Sequence, residues 1–73
     1  MPPLPALSGP DVVLAFEALG WRVARQRGSH VIMIKPGQTV TLSVPGHNEV
    51  AKGTLRSLIR SAGLSVSEFL SAL

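Results

Sequence analysis

The chain has 73 residues, 45% apolar and 15% charged, which is enough for one small core and excludes a second domain. Seven Lys and Arg stand against four Asp and Glu, for a net charge of +3. Cysteine is absent, so disulfides, thiolate metal sites and a cysteine nucleophile are excluded. Apolar runs reach only four or five residues, at Val12–Phe16 and Val31–Ile34, too short to span a membrane. Residues 1–7 lack the basic start and long apolar stretch of a signal peptide, so the expected location is cytoplasmic.

Residues 1–7 read as an extended arm, because Pro2, Pro3 and Pro5 oppose helix. The domain proper is expected over 8–73. Ser8 starts a helix: its hydroxyl can cap the first amides, Pro10 suits the first turn, and Asp11 stands three residues on. Val12, Val13, Phe16 and Leu19 form its apolar stripe, and Gly20 ends it. Three strands follow. Trp21–Gln26 turns at Arg27-Gly28 into Ser29–Lys35, and Pro36-Gly37 leads to Thr39–Val44. Pro45–Gly53 is a polar loop. Thr54 is expected to cap a second helix carrying Leu55, Leu58, Ile59 and Ala62, closed by Gly63. Ser65-x-x-Glu68 opens a short third helix. The order is α-β-β-β-α-α: an α+β fold with a three-stranded antiparallel sheet and helices packed on one face.

The turn positions imply a register. Arg27-Gly28 as a two-residue turn sets Trp21 opposite Ile34, Val23 opposite Ile32 and Arg25 opposite His30. One face then collects Trp21, Val23, Ile32, Ile34, Val40, Leu42 and Val44, with His30 at its open end.

No acid occurs between Glu17 and Glu49, a stretch holding Arg22, Arg25, Arg27 and Lys35. Lys52, Arg56 and Arg60 recur every four residues and so line one side of the second helix. Such charges form either a solvated face or a phosphate-binding surface. The two His residues are His30, opening the second strand, and His47, three residues beyond the third. The sheet geometry allows the two imidazoles to approach within about 10 Å. Taken alone, His30 reads equally as a half-exposed strand-end residue and His47 as an exposed loop residue. A metal site would find only Glu49 as a third ligand, so no metal or cofactor is expected.

Five stretches together resemble the HicA toxins: Ser8-Gly9, Leu19-Gly20-Trp21, Arg25-Gln26-Arg27-Gly28-Ser29-His30, Val44-Pro45-Gly46-His47 and Lys52-Gly53-Thr54-Leu55. The likeness covers residues 8–68 in order and spacing. It implies a fold like the double-stranded-RNA-binding domain, an mRNA interferase activity, and a HicB-like antitoxin partner. It also implies that His30, of the Gly-Ser-His stretch, is the catalytic residue. The chain departs from the pattern in one respect: it has Val31-Ile32-Met33-Ile34 where many relatives carry an aromatic residue soon after that His.

The chemistry suits this inventory. RNA brings its own nucleophile, the 2′-hydroxyl beside the scissile phosphate, and a neutral imidazole can take its proton. His47 or Arg25 is expected to assist or to contact the phosphate. Arg27, Ser29, Lys52, Arg56 and Arg60 are expected to bind RNA. The rival readings are a non-catalytic RNA-binding module and a domain whose basic surface serves only an acidic protein partner.

Overall fold

The computed structural model describes residues 3–73, so the first two residues of the predicted arm lie outside the described residues. The elements are α1 (Gly9–Ala18), β1 (Arg22–Arg27), β2 (His30–Ile34), β3 (Leu42–Pro45), α2 (Lys52–Ser61) and α3 (Val66–Leu70). The strands form one antiparallel sheet in the order β1-β2-β3. The expected α+β order is found, and it is compatible with the likeness to the double-stranded-RNA-binding domain.

Local chemistry sets the helix ends. At α1, the Asp11 amide donates to the Ser8 hydroxyl and the Ser8 amide to the Asp11 carboxylate, each at 3.2 Å. Its C-terminus closes with Gly20 N–H on Glu17 O and Trp21 N–H on Phe16 O. Lys35 adds its ammonium to the Leu19 carbonyl at 3.1 Å, a cation placed at the negative end of the helix dipole. At α3, Ser65 and Glu68 repeat the reciprocal cap. At α2 the expectation fails: Ala51, not Thr54, is the cap residue, and no side chain caps this end. The helix starts one turn earlier because Leu55 N–H already reaches Ala51 O, at 2.9 Å.

The helices cover one face of the sheet. Val12, Phe16, Leu55, Ile59 and Phe69 pack with Met33, Leu42 and Val44 in a single core. Phe16 lies at its centre, meeting Trp21 edge-on at 6.4 Å and Phe69 at 5.1 Å. The arm is part of this core. Leu4 is 3% exposed, and the Leu7 carbonyl accepts from Val50 N–H at 2.8 Å. Nothing in the proline pattern points to this docking.

The predicted register is wrong. The turn is Gly28-Ser29, so Arg27 pairs with His30 and Gln26 with Val31. Gly28 has φ +58° and stands where a type II′ hairpin places its glycine. Ala24 is then an extra residue, a bulge between Val23↔Met33 and Arg25↔Ile32. As a result Met33 faces the core and Ile32 does not, the reverse of the expectation. Val23 and Val40 are exposed, and β3 begins only at Leu42.

Three segments meet at one end of the sheet. Gly46 N–H donates to Ser29 O at 2.6 Å, and Gly9 N–H donates to His47 O at 2.9 Å. The backbones lie too close for side chains: a Cβ on Gly46 would stand 2.6 Å from Ser29 O, and one on Gly9 would stand 2.9 Å from Gly46 Cα. Both approaches are to backbone, which cannot rotate away.

Gly9→Ala and Gly46→Ala are therefore each expected to destabilise the fold by about 1–3 kcal/mol in urea unfolding. Gly53 has open space around its missing Cβ and lies within α2. Gly53→Ala should leave stability unchanged or raise it by up to about 1 kcal/mol. Equal effects at all three positions would contradict the close contact.

The Ser65 amide, with a further contribution from the Ser65 side chain, holds the Glu68 carboxyl below its ordinary value of 4.5. A depressed folded value means that its stabilisation is complete above the unfolded value and is lost as pH falls through the folded one. The stability gap between the wild type and Glu68→Gln should accordingly be largest at neutral pH and close in acid. A pH-independent gap would contradict the ionic cap.

Candidate active site on the open sheet face

The sheet face opposite the helices carries the candidate site. Cross-strand partners share a face, so Arg22, Arg25 and Arg27 of β1 stand with Ile34, Ile32 and His30 of β2, one to one. On β3 the corresponding residues are Ser43 and Pro45. The bulge makes this grouping possible. Arg22 and Arg25 are three positions apart, which in a regular strand would put them on opposite faces; the extra Ala24 brings them to the same one.

His30 lies beside Arg27, with Ile32 and Ser43 completing a shallow depression. Ile32 is only 8% exposed yet lies outside the core cluster. Its cover therefore comes from the open side, and it forms an apolar floor between the polar groups. The expected neighbour Arg25 is one row away, opposite Ile32; Arg27 is the guanidinium directly across from His30. His30 is thus corrected from the apolar core face to the open one, where it is exposed.

The Gly46–Ser29 hydrogen bond lies one residue before each histidine. The backbones of His30 and His47 therefore meet at the same end of the sheet, as the sequence suggested. His47 sits in the loop between β3 and α2, exposed, with its carbonyl fixed by Gly9. Ser29 is fixed by its carbonyl, and its side chain is exposed as part of the hairpin turn.

Lys52, Arg56 and Arg60 belong to the helical layer. They are exposed on α2, whose Leu55, Leu58 and Ile59 turn to the core. Arg56 and Arg60 rim a separate groove between α2 and α3, with Ile59, Leu64 and Val66 in its lining. None of the three lines the His30 depression. Lys35, a member of the same acid-free stretch as the β1 arginines, is committed to the end of α1.

Sequence reasoning did not name Arg22, Ile32 or Ser43 as site residues, because its register put Ile32 with His30 on the apolar face and Arg22 and Ser43 on the other. One signal could have found the pairing: a glycine at the first central position of a two-residue turn selects Gly28-Ser29 over Arg27-Gly28. Among the described residues, no three His, Asp or Glu side chains come together as a metal-ligand set.

The chain that carries this hairpin matches a described family of bacterial toxins. The family model for the HicA toxin of bacterial toxin–antitoxin systems matches residues 9–64. The chain belongs to the HicA toxin family, and an antitoxin partner comes with that membership. No curated protein matches the sequence. No helix among the described residues is long and apolar enough to cross a membrane.

Because both histidines are exposed and neither side chain is hydrogen-bonded to the fold among the described residues, His30→Ala and His47→Ala should each change stability by no more than about 0.5 kcal/mol. Thermal and urea unfolding check this. A larger loss at either position would assign that histidine a part in folding.

Proposed function

We propose that the chain is a metal-independent endoribonuclease acting on mRNA, with His30 as general base. The observation that carries this reading is the direct cross-strand pairing of Arg27 with His30 on the open face. The pairing sets an imidazole beside a guanidinium, both exposed to solvent and so open to a polymer.

In the proposed reaction the neutral His30 imidazole accepts the proton of the RNA 2′-hydroxyl. The 2′-oxygen attacks the adjacent phosphorus, and the bond to the 5′-oxygen breaks. The products are a 2′,3′-cyclic phosphate and a free 5′-hydroxyl. Arg27 is placed to offset the charge that builds on the non-bridging oxygens, and Arg25 extends that field by one row. His47, at the same end of the sheet, is assigned the auxiliary role: proton donor to the leaving oxygen, or phosphate contact. Ser29 holds the turn that aims His30. Lys52, Arg56 and Arg60 are assigned to flanking phosphates, as a second basic stretch.

The purified chain should cut single-stranded RNA in EDTA, leave cyclic or 3′-phosphate ends, and spare DNA, which lacks the internal nucleophile. His30→Ala should abolish cleavage, while His47→Ala should retain reduced activity in single-turnover assays. A requirement for added metal, or normal rates from His30→Ala, would overturn the reading and leave a binding module. Lys52→Ala with Arg56→Ala should weaken RNA binding at low salt and flatten its salt dependence; an unchanged slope would remove α2 from the interface.

The antitoxin is proposed to act by covering the His30 end of the sheet. A net charge of +3 would steer an acidic partner there. A bulky substituent at position 30 should therefore impair complex formation. Unimpaired binding would contradict occlusion.

A further inference from the structure

We infer that the open sheet face holds a track for single-stranded RNA that runs from His30 along β1 to Arg22. This inference rests on the endoribonuclease reading and extends it from one phosphate to a substrate path. The supporting observation is a pair of parallel rows. On β1 stand the cations Arg27, Arg25 and Arg22; on β2, directly opposite, stand His30, Ile32 and Ile34.

The two rows match the two chemistries of a nucleotide. Neighbouring strands lie about 4.8 Å apart, so a backbone lying over β1 puts its bases over β2. Residues two apart on a strand are separated by about 6.7 Å, close to the step between phosphates of an extended single strand. Arg27 then takes the scissile phosphate and Arg25 the next. The Ala24 bulge turns Arg22 back to the same face, where it takes a third. No acid between Glu17 and Glu49 competes for these guanidiniums.

The occupant is RNA rather than an acidic protein strand because of what lies opposite the cations. Ile34 is half-buried and Ile32 is the covered apolar floor beside it, and neither carries a side-chain hydrogen-bonding group, which suits base faces. Tyr is absent from the chain, and Phe16, Phe69 and Trp21 are buried, so aromatic stacking is not available on this face. The bases are held by apolar contact alone, and the phosphates supply most of the affinity.

The test compares a minimal substrate spanning only the scissile phosphate with substrates extended by two nucleotides on either side. Extension on one side should raise kcat/KM, through KM, and Arg22→Ala should abolish that gain. With an uncleavable 2′-O-methyl RNA, Arg22→Ala should weaken binding about fivefold at low salt and lower the salt slope by about 0.7. Arg22→Lys should recover most of the slope, and Val23→Ala, on the other face of the same strand, should change neither quantity. Deleting Ala24 should mimic Arg22→Ala, and a deletion variant that fails to fold leaves Arg22→Ala to decide. Full retention of the extension gain in Arg22→Ala, or loss of antitoxin binding with RNA binding intact, overturns the track. Failure of the wild type to cut any RNA overturns the endoribonuclease reading instead, and the 2′-O-methyl binding data separate the two.

Discussion

The geometry of the site depends on the backbone hydrogen bond from Gly46 to Ser29. It ties the end of β3 to the β1–β2 hairpin turn at 2.6 Å, and the packing of Gly9 against Gly46 ties the start of α1 to both. The residue after Ser29 is His30 and the residue after Gly46 is His47. A bond between two main-chain groups thus fixes where two side chains begin. Small domains have little core with which to hold a precise site. Here the precision comes from three chain segments approaching closer than any side chain allows.

This arrangement separates the work of the two sheet faces. The helix-covered face supplies stability through Phe16, Met33, Leu42 and Phe69. On the open face Arg22, Arg25, Arg27, His30 and Ser43 are exposed, while Ile32 and Pro45 are buried. That leaves Arg22, Arg25, Arg27 and His30 free to be set by substrate chemistry rather than packing. The cost is an exposed edge strand, and the same arginines blunt it by repelling a second copy.

Much of the fold was legible because it is written in short-range chemistry. Ser8 with Asp11, Ser65 with Glu68, and the glycines after α1 and α2 act within a few residues, and each did what its spacing implies. The register was not legible from alternation, only from the place of Gly28 in its turn. β2 reads His30-Val31-Ile32-Met33-Ile34, apolar on both faces, so alternation could not say which side is inside. The Ala24 bulge is a one-residue insertion with no composition of its own, and it changes which arginines share a face with His30. The docking of Leu4 was hidden because prolines predict an extended chain but not where it lies. His30 and His47 were found as the two histidines of the chain, the resemblance added a catalytic role for His30 alone, and their meeting at one end of the sheet followed from strand lengths.

The proposed cleavage and the proposed track both require RNA to lie on the open sheet face beside His30. Amide and side-chain chemical-shift mapping with a 2′-O-methyl RNA, which binds but cannot be cut, tests this most directly. The largest shifts are expected at Arg25, Arg27, His30, Ile32 and Ser43, fading toward Met33 and Leu42 beneath the sheet. Shifts confined to Lys52–Ser61, with the open face unmoved, would contradict it.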